Sequence, residues 1–409
     1  MAAEAEVLDG VVAGSEALLE DAVALRRRIH QRPELGLQLP GTQAAVLEAL
    51  EGLPLAVTTG TTTSSVVAVL DGDEPGPTVL LRGDMDALPM PEDTDLDFKS
   101  TVEGAMHACG HDAHVAMLAG AARLLADRRG SLRGRIAFMF QPGEEGFDGA
   151  KHMLDEGLLA HVAEGGRPVS MAFAIHQTPT IPSGLIATKG RALLASADSV
   201  LINVRGRGGH ASMPHHALDP IPIACEIVTA LQSMVTRRVD AFDPAVVTIA
   251  RIQAGTTSNV IPESAELFGT IRTVSPKTRD SVLEDVRRLA EGIASAHGAT
   301  ADVDLVRGYP VTVNDVDAAA FVLDTARELH GVMAAIEMPT PAMGAEDWSY
   351  VLEEVPGAMA FLGTQPPGGG LFAPNHSNRM VIDEAAMSVG IATYAGVALR
   401  WLSQASQSS

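Results

Sequence analysis

The feature that most constrains this chain is a change of rhythm near Thr188. Before it, runs rich in Val, Ile and Leu alternate with helical patterns, the order that layers helices on a sheet. Strands are expected at 65–70, 78–82, 135–140 and 170–176, with helices near 15–31, 111–129 and 150–159. Pro33 stops the first helix, and an Asp-Gly, Pro-rich turn separates the first two strands. From 189 to 307 the order becomes strand (199–205), helix (220–236), strand (246–253), strand (265–273), helix (278–297) and strand (301–307). That βαββαβ order is the split-βαβ, ferredoxin-like plan. After Asn314 the first rhythm resumes, with a strand at 358–362 and a closing amphipathic helix at 384–402. The expectation is therefore an α/β main domain, 1–188 and 308–409, whose mixed sheet is flanked by helices. A smaller domain, 189–307, is inserted into it.

Length agrees with two cores: 409 residues exceed the ~250–300 that one hydrophobic core usually serves. With 46% hydrophobic and 20% charged residues, the chain has ample material for packing and is not of disordered composition. Its 29 Lys+Arg against 51 Asp+Glu give a net charge of −22, which repels phosphate backbones and anionic lipid heads. Nucleic-acid and membrane partners are thus not expected. No apolar run approaches ~18 residues, so no membrane-crossing helix is expected. The opening MAAEAEVLDGVV has acids where a secretory signal carries Lys or Arg, and the expected compartment is cytoplasmic. Cys109 and Cys225 are too few for a disulfide framework.

Four segments put potential metal ligands at or near expected strand ends, where the ligands of open α/β sheets collect. They are RGDMDALP with Asp86, HACGHDAH with Cys109 and His111, QPGEEG with Glu144 and Glu145, and the strand ending in His176. A thiol and an imidazole two residues apart can reach one ion from a turn. The same pair also reads as a buried thiol beside ordinary histidines. Adjacent glutamates are common on solvated helices, but this pair follows an apolar strand through Pro-Gly. There, one carboxylate can bind metal while the other handles protons.

Together these segments resemble the metallo-aminoacylase and carboxypeptidase family, on the branch of hippurate hydrolase and indole-acetyl-amino-acid hydrolase. The stretches that carry the resemblance are LRRRIHQRPELG, RGDMDALP, MHACGHDAH, FQPGEEG, GRGGHASMPHHALDPI, AGTTSNVIPESAELFGTIRT, GAEDWSY and NHSNRMVIDE, in family order from about residue 25 onward. The resemblance implies two divalent metal ions, with zinc favoured and manganese, cobalt or nickel also compatible. It implies five ligands: Cys109 as the bridge, His111, Glu145, His176 and His376. Asp86 would orient a ligand from behind. Glu144 would be the general base that takes a proton from the attacking water and returns it to the leaving amine. His210 would donate to the oxyanion, commonly in the partner subunit's site, in a homodimer formed through the inserted lid domain. Asn259 and Arg272 would touch the substrate's carboxylate. The implied reaction is hydrolysis of the amide of N-acyl amino acids of the hippurate or N-acetyl kind.

The alternatives are a dipeptidase or carboxypeptidase of the same family, a cysteine-nucleophile hydrolase using Cys109 and His111, and a non-catalytic binding member. The second leaves Glu144 and Glu145 unexplained, and the i,i+2 spacing suits a nucleophile and its base poorly. The third should have lost a ligand or the base, and none is lost. Two departures from the family pattern, LQLPGT after PELG and NRMVIDE after HS, bear on specificity. Aromatic residues are only 4%, so no large stacking pocket for an indole-like acyl group is evident.

Overall fold

The apolar runs form strands β1 (Ala56–Thr59), β2 (Val66–Asp71), β3 (Glu74–Asp84), β4 (Arg133–Gln141), β5 (Val169–Thr178) and β6 (Ile186–Thr188) in the computed structural model, which describes residues 7–368 and 372–405. Next in the chain come β7 (Asp198–Arg205), β8 (Ala245–Ala254), β9 (Ser264–Thr273), β10 (Thr300–Arg307), β11 (Ala335–Glu337) and β12 (Gly357–Gly363). The helices that matter here are α1 (Leu19–His30), α2 (His111–Ala126), α3 (Pro220–Arg238), α4 (Pro276–Ala296), α5 (Val316–His330) and α6 (Met387–Ala405). Two compact units result. The first takes the chain up to Arg191, Val313–Pro339 and the residues from Tyr350 onward; the second takes Ala192–Thr312 and Thr340–Ser349.

In the first unit an eight-stranded mixed sheet runs β1-β2-β4-β3-β5-β12-β6-β11. Its centre is parallel: β3 pairs with β4 and β5, and β5 pairs with β12. Strands covered on both faces need continuous apolar runs, and the central parts of β3, β4 and β5 are buried residue after residue. The carboxyl ends of three adjacent parallel strands, at Asp84, Gln141 and His176, therefore open at one edge of the sheet.

In the second unit the four-stranded sheet is antiparallel throughout, in the order β8-β9-β7-β10. Strand β7 alternates strictly, burying Asp198, Val200, Ile202 and Val204, so one face carries the core with α3 and α4 and the other is open. Both helices start where the sequence caps them. Asp219 accepts from Ile221 N ahead of Pro220, and Ser275 accepts from Thr278 N ahead of Pro276.

Three expectations change. The helix expected near 150–159 is broken into Gly149–Asp155 and Leu158–Val162 at Gly157, whose φ of 90° ends the first piece. The helix expected at 15–31 divides at Leu18. The third concerns membranes: the stretch Glu384–Gln404, with mean hydropathy 1.2, is long and apolar enough to cross one. Its apolar content is accounted for by the core. Met387, Ile391, Ala395, Val397 and Ala398 of α6 are fully buried in the first unit's core, where α6 packs against α2 and α5. The Tyr394 hydroxyl, also buried, donates to Arg82 O (2.7 Å) and accepts from Ile175 N (3.0 Å), tying β3 to β5.

Candidate metal centre and substrate-binding residues

At the open edge of the first unit's sheet, loops bring together seven expected residues: Asp86, Cys109, His111, Glu144, Glu145, His176 and His376. Gly110 makes the turn that presents two of them. Its φ is 82°, and a Cβ there would lie 2.3 Å from the Gln177 side chain, so only glycine fits between Cys109 and the start of α2. Cys109 Sγ lies 3.3 Å from His176 Nε2. His376 Nε2 lies 3.3 Å from Glu145 Oε1, and His111 Nε2 lies 3.9 Å from the same oxygen. Two of the triads of donor atoms that result, Cys109–His111–His176 and Cys109–Glu145–His376, share the thiol.

The backbone holds this geometry. Asp86 accepts from Glu144 N and Glu145 N, each at 2.9 Å, so one carboxylate fixes both glutamates. Its Oδ1 is also 3.4 Å from His111 Nδ1. His376 sits in the left-handed region, φ 67°, and its N–H donates to Ala108 O at 2.7 Å. A non-glycine residue there costs on the order of 1 kcal/mol, a strain sustained where the chain must aim a ligand.

Hydrogen bonding also sets the tautomers. Gln177 N donates to His114 Nε2 at 2.8 Å, so that nitrogen is an acceptor and His114 Nδ1 donates to Asp84 at 2.5 Å. His176 Nδ1 donates to Gln177 O at 2.6 Å, leaving its Nε2 lone pair toward Cys109. Asp84, His114, Gln177 and Asn375 were not singled out from sequence. Asp84 pairs with Arg82 at 2.6 Å and lies 3.5 Å from His111 Nε2. Gln177 Nε2 donates to Cys109 O (2.7 Å), and Asn375 Nδ2 points to Cys109 Sγ at 3.8 Å. A charged Arg82 inside an apolar strand, and His114 one helical turn from His111, were the available signals.

The electrostatics are those of a cation site. Burial opposes charge on His111, but Asp84, Cys109 and Asp86 outweigh it and hold the imidazolium pKa well above the ordinary value. Contacts with Cys109 and Glu145 push His376 up to about 10. Burial raises the Cys109 thiol, with His111 and His376 pulling the other way. His176 is driven well down by burial and by His114. Both ring nitrogens of His111 and Oε1 of Glu145 are buried without a hydrogen-bond partner. A shared thiol, three imidazoles and a carboxylate with unsatisfied atoms fit a pair of divalent cations.

Behind α2 lies a second buried charge network. Asp112, next to His111, meets Arg26 at 3.0 Å and His30 Nδ1 at 2.8 Å. His30 Nε2 reaches Glu92 at 3.3 Å, and Arg26 reaches Glu384 at 2.6 Å. These pairs fix the first turn of α2, and with it His111, from three distant parts of the chain.

The remaining expected residues lie in the second unit. His210 is exposed, in a short antiparallel pairing of Gly209–His210 with Val260–Ile261. Asn259, also exposed, accepts from Thr257 Oγ1 at 3.1 Å. Arg272 is half-buried on the sheet face opposite the core, with no hydrogen-bond or ion-pair partner among the described residues; burial lowers its pKa, with Asp198 acting against that. The rings of His215 and His216 lie against each other, centroids 4.1 Å apart and inclined by 60°.

A thiol shared by two donor triads, with paired glutamates beside it, is the equipment of a metal-binding site. The model of "Peptidase family M20/M25/M40" matches residues 80–400. The chain is 38% identical over 383 residues to thermostable carboxypeptidase 1 of Saccharolobus solfataricus, covering 93% of this chain and 95% of that one. It is 37% identical over 378 residues to the N-acetylcysteine deacetylase of Bacillus subtilis, covering 92% and 96% respectively. Among solved structures, the Bacillus subtilis YXEP protein, described as a dinuclear metal binding peptidase of the M20 family, superposes with a TM-score of 0.82. Its identity is 34%, with 95% of this chain and 99% of that chain covered. The chain belongs to the M20/M25/M40 peptidase family and is a metal-dependent amide hydrolase. The family is the one that the ordered motifs led us to expect.

Proposed function

We propose that this enzyme hydrolyses the amide bond of N-acyl amino acids, releasing the amino acid, with Glu144 as general base. The observation that carries the reading is the pair of donor triads sharing Cys109, with Glu144 held beside them by Asp86. Cys109, His111, Glu145, His176 and His376 would hold two divalent ions, zinc being the best match to this donor set. When bound, the ions supply Lewis-acid polarisation of the amide carbonyl and lower the pKa of the attacking water. Glu144 takes a proton from that water as its oxygen bonds to the carbonyl carbon. The same carboxyl group gives the proton to the nitrogen as the C–N bond breaks, so the amine leaves neutral. His210 donates to the oxyanion, while Arg272 and Asn259 bind the carboxylate of the leaving amino acid, in an enzyme that works as a homodimer.

The carboxypeptidase named among the relatives supports a second reading, cleavage of short peptides by the same attack. The test is hydrolysis by zinc-reconstituted enzyme of N-acetyl, N-benzoyl and long-chain N-acyl amino acids beside dipeptides with free amines. Turnover of the N-acyl series that disappears with chelator and returns with metal is expected. Preference for free dipeptides would favour the second reading, and full turnover in chelator would sink both.

A further inference from the structure

The turn that follows His210 determines which of its ring nitrogens carries hydrogen. Val260 pairs with His210 across the short ladder, and Ala211 N donates to Asn259 O at 3.1 Å, so the backbone on both sides of the histidine is fixed. Met213 N then donates back to His210 O at 2.8 Å, closing a four-residue turn with Ser212 at its third position. From there Ser212 addresses one atom twice. Its backbone N lies 3.2 Å and its Oγ 2.8 Å from His210 Nδ1.

A backbone N–H can only donate. Nδ1 therefore accepts from the Ser212 N–H at 3.2 Å, and the hydroxyl, which can rotate, adds a second and shorter hydrogen bond to the same lone pair. The one hydrogen of a neutral imidazole is then on Nε2. Among the described residues Nε2 has no partner, and the ring is exposed, so the N–H is presented outward. Protonating Nδ1 would set its hydrogen against the Ser212 N–H.

We propose that Ser212 is a positioning residue for the reaction: it engages Nδ1 of His210 and so keeps Nε2–H as the donor, already aimed before the amide arrives. This rests on the reading of His210 as the oxyanion donor and adds the device that prepares it. Preorganisation is what gives such donors their effect, since a ring that must first change tautomer or rotate spends part of its interaction on doing so. Without the hydroxyl only the longer N–H contact still favours the Nε2–H form, and the Nδ1–H form gains population.

The test uses zinc-reconstituted holoenzyme labelled with 15N in its histidine rings, with His210 assigned by comparison with His210→Gln. Wild type should show His210 with hydrogen on Nε2 only. Ser212→Ala should show an added Nδ1–H population and a kcat lowered about five- to tenfold, the effect of one neutral hydrogen bond, at unchanged KM. Ser212→Thr, which keeps the hydroxyl, should restore both. An Nδ1–H ring in wild type overturns the proposal, as does a Ser212→Ala enzyme with wild-type tautomer and kcat. His210→Ala separates the two levels. If it keeps full kcat, the donor role itself is wrong; if it is crippled while Ser212→Ala is not, only the positioning role of Ser212 is lost.

Discussion

Both units carry exposed ion pairs, such as Arg28–Glu48 and Arg133–Glu74 in the first, but they differ in how many they bury. In the first, Arg82–Asp84, Arg26–Asp112 and His30–Asp112 are ion pairs whose side chains are almost wholly withdrawn from water. In the second, Arg205–Asp302, Arg251–Glu266 and Arg307–Asp280 are open to solvent. The exception there is Arg279, which grips buried Asp198 with two nitrogens and also bonds Gly308 O. Exposed pairs contribute roughly 0–1 kcal/mol and are screened by salt. Buried pairs are costly to break and fix one arrangement, which is what a set of ligands needs. The same contrast separates the candidate functional groups. Those of the first unit are mostly buried among charged neighbours, whereas Arg272 is half-buried and Asn259 and His210 are exposed.

The contrast would break most visibly at Glu144. Glu144→Gln should lower kcat/KM at least ~10²-fold while metal content, read by elemental analysis, stays at the wild-type value. Loss of metal along with activity would show that the glutamate is a ligand and not the base. Next in size is Asp86→Asn, expected to cost ~10–100-fold in metal affinity or activity, because it loosens both glutamates and His111 together. Competition with a chelator measures it. Arg272→Ala should raise KM about tenfold with kcat nearly kept, the loss of one charge-assisted contact, and the penalty should shrink for substrates whose carboxylate is amidated. The smallest effect is on stability. His30 is raised from about 6.5 to about 9; burial opposes this, and the contacts with Asp112 and Glu92 overcome it. The folded state therefore binds more protons in that window. The stabilisation is complete below about pH 6.5 and is lost as pH rises through about 9. Thermal midpoints should fall across this range in wild type, and the fall should be shallower in His30→Gln. An unchanged slope would mean that another group titrates there.

Much of this was legible because local patterns and catalytic motifs are both short. The βαββαβ stretch shows its strands by alternation and its helices by Asp219 and Ser275 at their starts. Cys109, His111, Glu144 and Glu145 sit in contiguous motifs, and His176 closes an apolar run. What stayed hidden depends on pairings far apart in the chain. Arg26 and His30 belong to a stretch that carried the resemblance, yet nothing local reveals that they meet Asp112, Glu92 and Glu384. The roles of Asp84 and Gln177 depend on the register of β3, β4 and β5. β1 and β11 are short edge strands, four and three residues long, too brief for alternation to show. The apolar α6 was undervalued as a spanning candidate, since the polar residues along it interrupt any single run.

The position of β12 in the middle of the first sheet has a consequence for synthesis. It lies between β5 and β6, although more than 160 residues separate it from either in the chain. As the polypeptide emerges from the ribosome, residues 192–312, most of the second unit, are complete while the first unit still lacks β12, His376 and α6. The nascent chain must therefore carry an unfinished sheet, with the long side of β5 uncovered, through the whole translation of the second unit. Any stall in elongation between 312 and 357 prolongs the exposure.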